Sequence, residues 1–213
     1  MKVNKTLNMT MLCDFYELTM GNGYFVSGMK DQICYFDVFY RNVPDNGGFA
    51  IAAGLEQVVE YIQDLHFSAE DIAYLRGRKL FDEGFLKYLE DFRFTGDIFA
   101  VPEGTPIFPK EPILTVRAPA IEAQLVETYI LLILNHQSLI ATKANRVVRA
   151  AQGRTVLEFG SRRAQGAQGA ILGARAAYIG GCNGTACTIS DQLYGVYAGG
   201  TMAHSWVQMF DNE

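Results

Sequence analysis

Short strand patterns alternate with helical patterns after Gly153, and this alternation limits the fold more than any other feature of the sequence. The strand patterns are TVLEFG at 155–160, CNGTACTI at 182–189 and GGTMAHSWV at 199–207. Helical patterns lie between them, so the sequence predicts parallel β/α units with three strands. In such units the functional groups lie at the carboxyl ends of the strands. This rule points to residues 160–163, 188–191 and 201–205.

The residues before 121 have a different pattern, in which helices mix with antiparallel strands. We predict, in chain order, a helix over 8–27, strands over 33–41 and 49–54, and helices over 55–65, 69–77 and 82–92. Ser68 and Asp71 form a capping-box pattern before the helix at 69–77. Residues 94–117 contain short strands, which their prolines confine to sheet edges and turns. These residues therefore predict an α+β domain.

Residues 121–152 lack glycine and proline and keep a helical period, which predicts a long helix that breaks near Asn135. We therefore predict an α+β domain over 1–120 and the start of an α/β domain over 121–213. A parallel sheet of three strands with helices on one side is not a finished domain. We accordingly expect this chain to be the N-terminal part of a longer protein.

Composition excludes several classes of function. The net charge is −5, and no run of Lys and Arg exceeds two residues, so neither nucleic acid nor an anionic membrane is expected as a partner. The most apolar stretch, YILLIL at 129–134, is much shorter than the about 20 residues of a membrane span and predicts a buried helix turn. The start of the chain has no secretory signal pattern, and the four scattered cysteines lack zinc spacing. We expect reduced, buried thiols in a cytoplasmic protein.

Arg162 and Arg163 are the strongest candidates for binding an anion. They follow Gly160 directly after a predicted strand and open a predicted helix. Arginine offers planar bidentate donors, and a helix N-terminus adds amide donors and a favourable dipole. The alternatives are a surface salt bridge to Glu158 or a charge at a helix end.

His204 and Tyr16 are candidates with weaker local signals. In GGTMAHS the glycines allow a close backbone approach to a ligand, and Thr201 and Ser205 place hydroxyls near the imidazole of His204. A histidine at the end of a parallel strand is a candidate nucleophile or general base, and the alternative is a core histidine bonded to the backbone. No residues at ligand spacing support a metal role. Tyr16 lies on the opening helix, where a packing role and a ligand role are both open.

Four motifs occur in order along nearly the whole chain. They are DFYELTMGNGYF at 14–25, FDVFYRNVP at 36–44, LEFGSRRAQG at 157–166 and GTMAHS at 200–205. Together they closely resemble nicotinate phosphoribosyltransferase, the first enzyme of NAD salvage from nicotinic acid. Chains of this family are much longer, so the resemblance covers their N-terminal half.

The resemblance implies a type II phosphoribosyltransferase fold, in which an α/β sandwich domain precedes an irregular α/β barrel, here incomplete, and two subunits form a homodimer. The implied reaction joins nicotinate to 5-phosphoribosyl-1-pyrophosphate with Mg²⁺, giving nicotinate mononucleotide and pyrophosphate. ATP hydrolysis is coupled through a phosphohistidine, so the enzyme is both a glycosyltransferase and a ligase.

The same resemblance assigns roles to individual residues. His204 matches the phosphorylated histidine of the family, and Tyr16 matches the tyrosine that stacks on the pyridine ring. Thr201 matches a substrate-site residue, and Arg162 matches an arginine that serves carboxylate or phosphate groups. We assign Arg163, Gly160 and Ser205 to the same substrate site from their neighbouring places in the motifs, and we assign no residue to the metal.

Three other interpretations stay open. Nicotinamide phosphoribosyltransferase shares the implied fold and a phosphohistidine, although DFYELTM and FGSRRA resemble the nicotinate enzyme more. Quinolinate phosphoribosyltransferase fits less well because it lacks the ATP-coupled histidine motif. The chain can also be a truncated, non-catalytic subunit or one that pairs with a second chain completing the barrel. Because the later arginine and glycine-rich phosphate loops of the family are absent from these 213 residues, we predict no activity for them alone.

Overall fold

The computed structural model describes residues 8–212. The start of the chain, for which we predicted that there is no secretory signal, lies partly outside these residues. The chain divides into two compact units, one ending at Asn135 and the other beginning at His136. The predicted domain boundary at 120/121 stays a prediction. The α-helices of the described residues are α1 Phe15–Val26, α2 Leu55–Asp64, α3 Ala69–Gly77, α4 Glu83–Glu90, α5 Ala120–Leu125, α6 Glu127–Ala150, α7 Ala167–Ile179, α8 Thr188–Tyr194 and α9 His204–Val207. The strands are β1 Ile33–Val38, β2 Ala50–Ile51, β3 Asp97–Ala100, β4 Pro106–Ile107, β5 Leu114–Pro119, β6 Leu157–Glu158 and β7 Gly184–Thr185.

The first unit contains the predicted antiparallel strands, but the prediction that prolines confine residues 94–117 to sheet edges is wrong for β5, which is the central strand of its sheet. The only proline in β5 is Pro119, its last residue, so the rest of the strand can pair on both sides. The main sheet has the order β1-β5-β3, with Phe36 and Ile98 both opposite Val116. Leu114, Val116 and Ala118 alternate with more exposed residues along β5 and are buried. This alternation gives the sheet one buried face. The short strands β2 and β4 form a second antiparallel pair, so the α+β prediction for this part of the chain is confirmed.

The capping box at α3 is confirmed, whereas the opening helix differs from its prediction. The Ser68 hydroxyl accepts the Asp71 amide at 3.1 Å, and the Asp71 carboxylate accepts the Ser68 amide at 2.8 Å. Instead of one helix over 8–27, a 3₁₀ turn at Met9–Met11 precedes α1. Asp14 is extended at the N-cap of α1, with ψ 138°, and this extended backbone separates the two pieces.

The long helical segment breaks at Val126 and not near Asn135, where we predicted the break. α6 continues through Asn135, in agreement with the absence of glycine and proline there. At the observed break the Thr128 amide donates to the Glu17 carboxylate at 3.1 Å. In a continuous helix this amide would donate to the carbonyl four residues earlier. The Glu17 side chain of α1 therefore caps α6 and separates it from α5.

YILLIL lies within a helix but is buried on one side only, so the prediction of a buried helix turn holds for part of the run. Ile130, Ile133 and Leu134 are buried, but Leu131 and Leu132 are 44% and 49% exposed. A helix turns its successive side chains in different directions, so a run of six apolar residues exposes some of them unless it is covered on all sides. No helix within residues 8–212 is long and apolar enough to cross a membrane.

The second unit confirms two of the three predicted parallel strands. β6 and β7 pair in parallel, with Leu157 opposite Gly184. In place of the strand predicted over 199–207, the chain makes one parallel bridge from Thr185 to Ala198. After the two following glycines, the chain up to residue 212 makes no further ladder hydrogen bonds, and 204–207 closes into one helical turn, α9. The described residues therefore contain the start of a β/α arrangement and no barrel.

The four cysteines are free thiols, of which Cys182 and Cys187 are buried and Cys13 and Cys34 are half-buried. The prediction of reduced thiols therefore holds for all four cysteines, and the prediction that they are buried holds for Cys182 and Cys187. Burial, followed by the nearby carboxylates of Glu17 and Asp14, raises the pKa of Cys13 to about 12. The Cys13 thiol accordingly stays protonated, and hence a poor nucleophile, at neutral pH.

Candidate active site

The arginine turn, residues 160–163, follows the carboxyl end of β6. Gly160 is the N-cap of a 3₁₀ turn over Ser161–Arg163, and the Arg163 amide donates to the Gly160 carbonyl at 2.8 Å. Both arginine side chains are exposed, and within residues 8–212 neither has an ion-pair partner. The arginines do not open the long helix as predicted, because α7 begins four residues later with Gly166 as its N-cap.

Glu158 holds the arginine turn against the neighbouring strand. One carboxylate oxygen accepts the amide of Gly160, and the other accepts the hydroxyl of Thr185 at 2.7 Å. The salt bridge from Glu158 to the arginines, our alternative for this motif, is not formed within the described part of the chain. Sequence reasoning gave Glu158 no role of its own. The signal for one was a carboxylate at a strand end, two residues before a glycine.

The hydroxyl of Ser161 adds a further polar group to this turn. Its oxygen is buried and has no hydrogen-bond partner within residues 8–212. Buried polar atoms are seldom left unpaired. The arginine turn therefore offers two unpaired guanidinium groups and one inward hydroxyl, which are donors suited to a phosphate or a carboxylate.

His204 is exposed, which removes the core alternative for this residue. It is the first residue of α9, and Thr201 and Ser205 are exposed beside it in the chain. The predicted position on a parallel strand is wrong, since the bridge to Thr185 ends at Ala198. His204 belongs to the same unit as the arginine turn, whereas Tyr16 belongs to the first unit.

Tyr16 lies in the first turn of α1 and is 41% exposed. Its hydroxyl donates to Oε1 of Glu127 at 2.7 Å, and Oε2 of Glu127 accepts the side-chain amide of Gln124 at 2.7 Å. The hydrogen bond to Glu127, followed by burial, raises the pKa of Tyr16 above its usual value. The phenol is therefore neutral at physiological pH and has a fixed orientation.

A buried polar cluster, which the sequence did not indicate, lies behind Tyr16. Glu17 is fully buried, and its Oε1 accepts both the amide and the hydroxyl of Thr128. The Thr128 hydroxyl oxygen accepts the Asp14 amide at 3.1 Å, which completes the link to the start of α1. Oε2 of Glu17 and the hydroxyl of Tyr61 are buried without partners within residues 8–212. Burial raises the pKa of Glu17, although its bonds with Thr128 oppose this rise.

Glu17→Gln is expected to remove a pH dependence of stability. The pKa of Glu17 is raised in the folded state. The stabilisation that this shift provides is therefore fully present below the pKa that Glu17 has in the unfolded chain, and it is lost as the pH rises through the pKa that Glu17 has in the folded chain. Wild type should therefore lose stability relative to Glu17→Gln as the pH rises from about 4.5 to about 7.5. Urea unfolding at both pH values measures the difference. The exposed Glu60→Gln variant serves as the control, and parallel curves for wild type and Glu17→Gln would contradict the expectation.

Metal ligation has no support within residues 8–212, where no group of three or more His, Cys, Asp or Glu side chains can hold an ion. The Mg²⁺ that the sequence resemblance implies therefore has no protein ligands that we can name in this part of the chain.

Comparison with solved structures defines the class of protein. The crystal structure of human nicotinic acid phosphoribosyltransferase matches 92% of this chain and 40% of its own, with a TM-score of 0.86 and 34% identity. Nicotinate-nucleotide pyrophosphorylase from Pyrococcus furiosus matches 95% of this chain and 44% of its own, with a TM-score of 0.77 and 26% identity. The chain thus has the mixed α/β fold found at the N-terminal end of type II phosphoribosyltransferases.

Sequence comparison narrows the class to one family. The N-terminal domain of nicotinate phosphoribosyltransferase (NAPRTase) matches residues 11–135. Nicotinate phosphoribosyltransferase pncB2 of Mycobacterium tuberculosis is 46% identical over 203 residues, which are 95% of this chain and 44% of the relative. The Bacillus subtilis enzyme is 38% identical over 97% of this chain and 42% of its own. The chain belongs to the nicotinate phosphoribosyltransferase family, and it spans less than half the length of these relatives.

Proposed function

We propose that this chain forms the N-terminal part of a nicotinate phosphoribosyltransferase that acts in NAD salvage. The ring nitrogen of nicotinate attacks the anomeric carbon of 5-phosphoribosyl-1-pyrophosphate, and the carbon–oxygen bond to pyrophosphate breaks. Nicotinate mononucleotide and pyrophosphate are the products. ATP hydrolysis is coupled through phosphorylation of His204. The observation that supports this proposal most directly is the pair of exposed guanidinium groups after β6, neither of which has an ion-pair partner within residues 8–212.

The chemistry of the reaction fits the groups that the chain presents. Both substrates are anions, and Arg162 and Arg163 offer bidentate donors for carboxylate and phosphate oxygens. The half-exposed ring of Tyr16 offers a flat surface for an aromatic acid. Departure of pyrophosphate depends on positioning and charge neutralisation, to which the two arginines contribute, and it needs no protein nucleophile. We include Gly160, Thr201 and Ser205 as substrate contacts beside these residues.

Arg162→Ala and Arg163→Ala are each expected to weaken binding of pyrophosphate and of 5-phosphoribosyl-1-pyrophosphate. Loss of one charge-assisted contact corresponds to about 1.5–3 kcal/mol, or about 10- to 100-fold in Kd. Isothermal titration calorimetry on the full chain measures the change. The control is Arg154→Ala, an exposed arginine of the same unit whose side chain donates to the Ala151 carbonyl at 3.2 Å. Equal losses in all three variants would show a general charge effect and contradict the assignment.

A split enzyme is the second candidate. In such an enzyme a second chain would supply the part of the Mycobacterium tuberculosis relative that this chain, at 44% of its length, does not span. Native mass spectrometry of the purified protein distinguishes this assembly from the homodimer that we propose for the family fold. Comparison of turnover on nicotinate with turnover on nicotinamide tests whether the enzyme prefers the acid.

We also propose a cytoplasmic location, because the cysteines are free thiols.

A further inference from the structure

We propose that Glu127 is a positioning residue that acts through Tyr16: it fixes the Tyr16 ring and makes it electron-rich, so that the ring binds a pyridinium better than a neutral aromatic ring. The inference rests on the proposed function, in which Tyr16 stacks on the pyridine. It adds a way in which the chain assists formation of the bond to the pyridine nitrogen, and a role for a residue outside the sequence motifs.

The Tyr16 hydroxyl is held at one defined position. It donates to Oε1 of Glu127 at 2.7 Å, the usual distance for a hydroxyl bonded to a carboxylate. Gln124 donates to the other oxygen of Glu127 at 2.7 Å. The carboxylate plane is therefore fixed from both sides, and Glu127 itself begins α6.

The backbone of Tyr16 is held independently of its hydroxyl. The neighbouring Glu17 accepts two hydrogen bonds from Thr128, and the hydroxyl oxygen of Thr128 accepts the Asp14 amide. Tyr16 thus lies between two anchored residues, the N-cap Asp14 and Glu17 of α1, and its hydroxyl is bonded to the first turn of α6. With 41% of the residue exposed, a ring fixed in this way remains accessible to a ligand.

The charge on Glu127 changes the electronic character of the ring. A phenol that donates to a carboxylate gains negative charge on its oxygen, and the aromatic ring shares part of it. The raised pKa of Tyr16 agrees with a strong bond to Glu127. A ring richer in electrons attracts a cation above its face more strongly.

The reaction creates a cation on the substrate ring. The nitrogen of nicotinate is neutral before its electron pair forms the bond to the anomeric carbon, and it is positively charged afterwards. An interaction that is stronger with the charged ring than with the neutral ring favours the transition state over the ground state. Glu127 would therefore assist bond formation without touching the substrate.

Two ligands separate ring charge from carboxylate recognition: N-methylnicotinate, whose ring is cationic, and benzoate, whose ring is neutral. We expect calorimetry on the full chain to show about fivefold tighter binding of N-methylnicotinate, as a cation–π contribution near 1 kcal/mol implies. Glu127→Gln should bring this ratio clearly closer to one, although the attraction of the unmodified ring for a cation remains. Tyr16→Phe keeps the charge of Glu127 but removes the hydrogen bond, and it should reduce the ratio as well. A ratio that survives in Tyr16→Phe would show direct attraction by Glu127 and overturn the inference.

A spectroscopic measurement tests the hydrogen bond without any ligand. The NMR shift of the hydroxyl-bearing ring carbon of Tyr16, at neutral pH, should move towards the value of a free tyrosine in Glu127→Gln and stay unchanged in the Glu60→Gln control. An unchanged shift in Glu127→Gln overturns the inference and leaves the proposed function standing. Failure of wild type to bind either ligand, with the expected shift change present, overturns the assignment of Tyr16 to the pyridine and with it both proposals.

Discussion

Incubation with ATP is expected to place an acid-labile phosphate on His204, and His204→Ala is expected to lose the label completely. The imidazole nitrogen attacks the γ-phosphorus of ATP, the bond to the ADP oxygen breaks, and ADP leaves with the electron pair. The exposed imidazole has the access that this attack requires. Mass spectrometry of the intact chain under neutral and acidic conditions measures the label.

The other two histidines provide matched controls for this experiment. Both are less accessible than His204: Nδ1 of His66 lies 2.6 Å from the Asp64 carbonyl oxygen, and His136 is half-buried. His66→Ala and His136→Ala should therefore keep the full label. A label that persists in His204→Ala, or one that disappears in His136→Ala, would contradict the role of His204.

Gly180→Ala is expected to destabilise the second unit by about 3 kcal/mol, near the upper end for overpacking. A Cβ atom at Gly180 would lie 2.4 Å from the Ala141 carbonyl oxygen and 2.9 Å from the Ala144 Cβ. The nearest obstacle is backbone of α6, which a side-chain rotation cannot remove. The end of α7 would have to move away from α6, separating a cluster that includes Ala144, Ala177 and Cys182. Urea unfolding monitored by circular dichroism measures the loss.

Gly200→Ala is the control for Gly180→Ala, because a Cβ atom at Gly200 would meet no atom within 4 Å. This variant should unfold within about 0.5 kcal/mol of wild type. Comparable stability of the two variants would show that the approach of α7 to α6 relaxes easily. The prediction for Gly180 would then be wrong.

Local signals were sufficient to predict much of the first unit. The capping box at Ser68 and the short strands of 94–117 depend on neighbours in sequence, and both are present, although β5 lies at the centre of its sheet and not at the predicted edge. The break at Val126 depends on Glu17, which is remote in sequence from the helix that it caps. A residue pattern within 121–152 cannot contain that information. This explains why the predicted break was placed at Asn135.

In the second unit, too, local sequence signals did not reveal contacts between residues that are far apart in sequence. The parallel pairing of β6 with β7 followed from the alternating pattern. The third strand did not form, because a strand pattern needs a partner along its whole length and Ala198 alone bridges to Thr185. The arginines were located from their motif. The role of Glu158 depends on its contact with Thr185, 27 residues away, and local chemistry does not reveal this contact.

The cap that Glu17 places on α6 also has a consequence for the order of folding. Glu17 and Thr128 are separated by 111 residues, so their contact closes a very long loop. The entropy of such a closure is lost before the contact stabilises anything, which slows folding. During synthesis, α1 cannot reach its final surroundings until Thr128 has left the ribosome. The start of the chain therefore waits for most of the first unit, and the surface that carries Tyr16 is among the last parts of that unit to be completed.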